Sequence, residues 1–190
     1  MPHDPSVLPE DLPVPVDDGA AAHLAGSAVP DLRLPATTGV DVNLGERCGH
    51  RPVVVFAYPR TGRPGVEPLV PDWDQIPGAR GCTPEACGFR DLAIEFTRAG
   101  AELFGLATQD TEYQQEAVAR LGLGYPLLSD DRLAFTGALK LPTMTVAGMV
   151  LLRRCTLILA RGRVRDVLYP VFPPDKAAAE ALRVLRGGGF

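Results

Sequence analysis

The run Gly81-Cys82-Thr83-Pro84-Glu85-Ala86-Cys87-Gly88-Phe89-Arg90-Asp91 sets two cysteines at the start of one element. Its middle reads as a helix start. Thr83 suits the N-cap, Pro84 the first helical position, and Glu85 the positive end of the helix dipole. Phe89, Leu92, Ala93 and Phe96 then fall at i, i+3, i+4 and i+7, which gives one apolar stripe, and Gly100 stops the helix. Cys82 therefore stands where backbone N–H groups lack helical partners. Such groups favour a thiolate and lower its pKa, which makes Cys82 a candidate nucleophile. Cys87 lies five residues further on, inside the helix, where a second thiol can attack an oxidised first one.

The flanks say which fold carries this helix. Upstream, Val53-Val54-Val55-Phe56-Ala57-Tyr58 is an unbroken apolar run of β-formers, the pattern of a strand buried on both faces. Between it and the helix, Pro59 to Gly81 holds five prolines, four glycines and the single tryptophan, Trp73. A connection of that length and composition is a loop that is either functional or mobile. Downstream, Glu102–Ala107 reads as a second buried strand. Asp110 caps a helix that runs through Arg120 and ends at Gly122. Tyr125–Leu128 is a short extended piece and Asp130–Leu139 a short helix. Val150–Ala160 and Val164–Tyr169 flank Arg161-Gly162-Arg163 as a hairpin. Asp175 caps a last helix that stops at the glycines 187–189. Further upstream, Asp31–Pro35 and Val40–Leu44 flank a glycine turn as another hairpin. Strand–helix–strand–helix followed by a hairpin and a helix is the order of a thioredoxin-like α/β domain, with a central mixed sheet flanked by helices.

With 190 residues, one such domain is the natural count. Residues 1–28 hold five prolines and several acids but no Lys or Arg, which reads as a mobile acidic tail ahead of a domain over 29–190. A net charge of −4 offers no basic excess to displace counterions, so nucleic acid is not an expected partner. Apolar runs are strand-sized, too short to cross a bilayer. The first Arg is Arg33 and no apolar export segment precedes it, so the expected location is cytoplasmic.

Four cysteines do not make a disulfide scaffold in a chain this long, and in a reducing compartment a close pair is more often redox-active or metal-binding. Three plainer readings stand beside the redox one. The pair could be small core residues. It could belong to a zinc site, although His3, His23 and His50 all lie upstream and no third cysteine is near. It could exchange disulfides with other proteins, although the spacing is not C-x-x-C. Cys48 and Cys155 read as small apolar core groups.

The Gly81–Asp91 run resembles the active-site stretch of the peroxiredoxin family, in its bacterioferritin-comigratory or Q-type branch. That branch carries two cysteines with four residues between them, a Thr after the first, and a Phe-Arg-Asp run. Phe56-Ala57-Tyr58-Pro59 resembles the strand and proline that enter the family's active-site loop. Leu106–Asp110, Tyr125–Asp130 and Arg154–Leu159 resemble later family segments, the last of which brings an arginine to the reactive cysteine. One departure stands out. The family has a Thr three residues before that cysteine and a Pro seven before it; here Ala79 takes the first position and Pro59 is 23 residues upstream of Cys82. About 16 residues are thus inserted, a figure that follows from the two spacings.

The resemblance implies a thiol peroxidase that needs no metal, flavin or haem. Cys82 would be the peroxidatic cysteine and Cys87 the resolving one, joined in an intramolecular disulfide that a dithiol such as thioredoxin reopens. Arg154 would hold the thiolate, Pro59 would be the site's proline at the entry to the loop, and Thr61 would supply the hydroxyl in place of the missing Thr. Thr83 is an alternative donor whose plainer role is the N-cap, and Arg80 a loop arginine that faces water. Hydrogen peroxide or organic hydroperoxides are the implied substrates, and monomer and homodimer both remain open. The alternatives are a thiol–disulfide oxidoreductase or redox sensor acting on proteins, and a non-catalytic interaction domain that uses the Trp73 loop.

Overall fold

The computed structural model describes residues 4–188. Its centre is a five-stranded mixed sheet built on the all-buried run Val53–Ala57. That run is β3, preceded by the short antiparallel pair β1 (Arg33–Leu34) and β2 (Val42–Asn43). β4 (Glu102–Ala107) lies parallel to β3, and β5 (Leu127–Ser129) parallel to β4. On the other side β8 (Cys155–Ala160) and β9 (Arg163–Leu168) run antiparallel, giving the order β5-β4-β3-β8-β9. Val53, Val55 and Ala57 face one apolar core, while Val54 and Phe56 face the other. A sheet covered on both faces is why these strands read as continuous apolar runs without alternation.

The helices cover both faces. α1 (Leu44–His50), α4 (Thr111–Leu121) and α5 (Ala134–Leu139) join α2 (Cys82–Asp91), α3 (Ala93–Arg98) and the terminal α6 (Ala177–Gly187). Phe89 of α2 stacks on Phe56 of β3, with ring centroids 4.2 Å apart and planes 10° apart. Gly105 of β4 makes room for that ring, since a Cβ there would lie 2.8 Å from Phe56 Cζ.

Several boundaries differ from the sequence reading. The expected strand 40–44 gives way at Leu44 to α1. Asn43 caps it by accepting the Glu46 N–H at 3.1 Å, so the side-chain cap turns the chain before a strand can extend. The single helix expected from Thr83 to Gly100 is two, broken at Leu92. The strand expected over 150–160 is also two. β6 (Thr143–Val146) pairs with β7 (Met149–Leu152), and the chain leaves that pair at Arg153–Arg154 before entering the main sheet as β8. Asp130 holds the start of α5 from a distance, accepting the N–H groups of Phe135 and Thr136 at 3.1 and 2.7 Å. Asp175 sits in a 3-10 turn, Pro174–Lys176, ahead of α6.

The tail boundary also moves. Leu24 is fully buried and Ala21 nearly so, both in the core beneath α1 and β8. Arg153 pairs with Asp18 at 2.6 Å. An acidic, proline-rich composition hid two apolar residues with room in that core. Residues 1–3 of the expected tail and Gly189 lie outside the described residues.

Candidate active site

α2 begins at the mouth of a cavity, and one glycine sets its entry. Gly81 is the N-cap at φ 103°, in the left-handed region, and a Cβ there would lie 2.3 Å from Pro174 Cγ. Both the turn and the close approach require glycine. Cys82 is therefore the first helical residue and Thr83 is not the N-cap as expected. Thr83 sits inside the first turn, buried, its hydroxyl without a protein partner.

Arg154 reaches Cys82 from the break between β7 and β8. Its Nη2 donates to Cys82 Sγ at 3.3 Å and to the carbonyls of Arg80 and Gly78 at 3.1 and 3.3 Å. Its Nη1 pairs with the Glu85 carboxylate, one turn along α2 from Cys82. Arg154 and Glu85 are both buried. The guanidinium is thus fixed by four acceptors on two elements and its direction is set. Sequence reading singled out Arg154; Glu85 was read only as a first-turn acid, and no spacing rule connects the two.

The thiol departs from the expectation of a lowered pKa. Burial pushes Cys82 up, Arg154 pulls it down, and the Glu85 carboxylate pushes it up again. The free N–H groups of a helix start favour a thiolate, but here that start is dry, and desolvation is the largest effect. Burial also raises Glu85, to about 7, against the pull of Arg154.

Pro59 and Thr61 are both buried, and Thr61 lines the cavity. The Thr61 hydroxyl donates to Gln109 Oε1 at 3.2 Å, and its N–H to the same oxygen at 2.9 Å. Tyr113 O–H donates to the Thr61 carbonyl at 3.1 Å. Thr61 lines the same cavity as Cys82 and Thr83. Gln109, which positions Thr61, falls in the family-like segment Leu106–Asp110, but the sequence reading gives it no role. Arg80 does not face water as expected: it is buried, pairs with Asp74 at 3.5 Å, and donates to the carbonyls of Asp4 and Val7, the latter at 2.8 Å.

Cys87 lies half-buried on α2, and all four cysteines are free. Across five residues of helix the Cα atoms of Cys82 and Cys87 stand about 9 Å apart, and a disulfide tolerates at most about 7 Å. Cys48 and Cys155 are buried among apolar groups, as expected, and burial pushes Cys155 to about 12.

A thioredoxin-like sheet with a buried thiol at a helix start, held by an arginine, defines a thiol-based redox protein. The redoxin family model matches residues 24–185, and the chain belongs to that family. Within it the chain is a peroxiredoxin of the Q or bacterioferritin-comigratory type, a thiol-dependent peroxidase. A putative peroxiredoxin of Mycobacterium tuberculosis is 32% identical over 85% of this chain and 95% of its own length. The chloroplastic peroxiredoxin Q of rice is 31% identical over 85% of this chain and 66% of its own. Among solved structures, peroxidoxin BcpB from M. tuberculosis matches with a TM-score of 0.70 at 30% identity, covering 88% of this chain and all of that one.

Proposed function

We propose that Cys82 is the peroxidatic cysteine and Cys87 the resolving one. The observation that carries this is Arg154 Nη2 at 3.3 Å from the buried Cys82 Sγ, with a second thiol on the same helix. Cys82 sulfur attacks the terminal oxygen of a hydroperoxide and the O–O bond breaks. The sulfur is oxidised to sulfenic acid and the remainder leaves as water or an alcohol, carrying one proton. Arg154 stabilises the negative charge that develops on the oxygens, and a fixed cation is worth most in a dry site. Cys87 then displaces hydroxide from the sulfenic sulfur, forming the Cys82–Cys87 bond and releasing water. A dithiol of the thioredoxin type restores both thiols and is itself oxidised. Thr61 closes the peroxide's side of the cavity, with Pro59 buried two residues before it.

Burial of Cys82 favours this reading over exchange with protein disulfides. At 3% exposure the sulfur is open to a small molecule through the cavity and closed to another protein's disulfide. No helix among the described residues is long and apolar enough to cross a membrane. We place the enzyme's work in the cytoplasm, where dithiol reductants are maintained.

The test is peroxide consumption coupled to a dithiol reductant. Cys82→Ser abolishes it. Cys87→Ser completes one turnover and stops at a sulfenic acid that a sulfenate probe traps on Cys82. Labelling of Cys87 in Cys82→Ser, with none in Cys87→Ser, reverses the roles.

A further inference from the structure

Gly78, Ala79 and Arg80 form a turn just ahead of α2, and their carbonyls face the reacting groups. The Gly78 and Arg80 carbonyls accept from Arg154 Nη2 at 3.3 and 3.1 Å, and the Ala79 carbonyl accepts from Cys82 Sγ at 3.6 Å. The turn lies between the 3-10 turn Trp73–Gln75 and α2, outside both, so side chains must set its shape. Ala79 is one fastening, buried in a small core with Trp73, Val146 and Leu151. The Arg80 guanidinium is the other.

That guanidinium is buried and reaches across the chain. Nη1 pairs with Asp74 at 3.5 Å, and Nη2 donates to the carbonyls of Asp4 and Val7, the latter at 2.8 Å. Asp4 lies 76 positions away in sequence, in an N-terminal strap. The strap is itself shaped for the contact. Asp4 Oδ1 accepts the N–H and O–H of Ser6 at 2.9 and 2.6 Å, and the Asp4 carbonyl accepts the Val7 N–H at 3.3 Å. This Asx-type turn aims both carbonyls at one guanidinium. On either side the strap is seated: Pro5 is buried and lines the cavity over Cys82, and Leu8 Cδ1 lies 3.0 Å from where a Cβ on Gly81 would stand. Bonds from a charged donor are the strong kind, so strap and turn hold one another.

Resting on the peroxidase reading above, we propose that Arg80 is a positioning residue for Arg154 and that the strap from Asp4 to Leu8 is a working part of the active site. The strap fixes the Arg80 guanidinium, Arg80 fixes the turn, and the turn's carbonyls hold Arg154 Nη2 on Cys82. Nη1 and Nη2 of Arg80 are committed to Asp74 and the strap, so Arg80 acts through Arg154 and not on the peroxide.

The experiment measures single-turnover oxidation of Cys82 by hydrogen peroxide in pre-reduced full-length enzyme, read by mass spectrometry. Arg80→Met slows it roughly tenfold, the cost of a misplaced catalytic group. The pH at which the Cys82 thiolate forms rises as well, because Arg154 is less firmly aimed. A loss of stability alone moves neither quantity in the folded enzyme. In an Arg154→Ala background, Arg80→Met changes the rate by less than about twofold, since the residue through which it acts is gone. Asp4→Ala leaves the buried side chains in place and reads the strap by itself. It slows oxidation roughly threefold, the equivalent of one ordinary hydrogen bond, while Asp4→Asn keeps the turn's acceptor and the wild-type rate. A wild-type rate in Arg80→Met, or an equal loss with and without Arg154, overturns the role of Arg80. A wild-type rate in Asp4→Ala, or an equal loss in Asp4→Asn, overturns the role of the strap. If hydrogen peroxide does not oxidise Cys82 in wild type, it is the peroxidase assignment of this cysteine that falls.

Discussion

Around Cys82 the decisive quantity is how one guanidinium is shared between two acids. Arg154 serves the thiol and the Glu85 carboxylate together, and both acids are pushed up by burial. An ionised Glu85 draws Arg154 toward itself and opposes a thiolate on Cys82. Glu85→Gln removes that competitor, so the Cys82 thiolate forms at lower pH, which ultraviolet thiolate absorbance reads. A rise in that midpoint would mean that Glu85 matters mainly by aiming Arg154. Stability carries the same signature. Glu85 moves from an ordinary 4.5 to about 7 on folding. The folded state therefore binds the proton more tightly, and stability falls as pH rises from 4.5 through about 7. In Glu85→Gln this fall flattens, which urea midpoints across that range check. Arg154→Ala loses the aimed cation, and peroxide oxidation of Cys82 slows about a hundredfold, the equivalent of about 3 kcal/mol. It also leaves Glu85 buried without a cation, so its stability loss is greater above pH 7 than below.

Along α2 the two thiols sit on a turn that must open before they can join. Its far half is anchored: Phe89 stacks on Phe56, and Arg90 Nη1 donates to the Leu121 carbonyl at 2.8 Å. The near half is tied by Tyr125 O–H to the Ala86 carbonyl at 2.7 Å, a bond that unwinding gives up. Gly88 lies between the halves. An added Cβ there meets Asp175 O at 3.4 Å and Ala178 Cβ at 3.8 Å, ordinary contacts that leave the fold intact. Gly88→Ala therefore strengthens the helix by up to about 1 kcal/mol. Disulfide formation slows while the peroxide step keeps its rate, and sulfenic acid on Cys82 accumulates in the interval. Equal slowing of both steps would show that the turn moves before peroxide reacts. This helix was legible because its apolar stripe, its cysteines and its neighbouring strand all point the same way. Its cap was misplaced by two residues, since Thr83 looks like a cap and Gly81 is made obligatory by its left-handed turn and by Pro174 across the site. The pairing of β6 with β7 was not legible. The apolar run 150–160 hides its own break, which falls at Arg153–Arg154, between β7 and β8, where Arg154 reaches Cys82 on α2.

Over the whole molecule the sheet was readable and the chain's margins were not. Buried strands announce themselves by composition, whereas the N-terminal segment is read as tail because prolines and acids outnumber its few apolar residues. Two of those residues decide its fate. Leu24 is fully buried against the core that also holds Leu44, Val53 and Leu159, and Val16, eight positions earlier, is 81% exposed. The stretch from Asp4 to Val7 also supplies the carbonyls that hold Arg80, whose own carbonyl accepts from Arg154. The strap is thus continuous with the active site at one end and with the core at the other. Leu24→Ala leaves a cavity beneath α1 and lowers stability by about 2–4 kcal/mol, while Val16→Ala changes it by less than about 0.5 kcal/mol. Urea unfolding of the two variants measures both. Should Leu24→Ala prove as neutral as Val16→Ala, the segment is not part of the folded core and the domain begins near Val29. A loss confined to Leu24→Ala places the start of the domain at Leu24 or earlier.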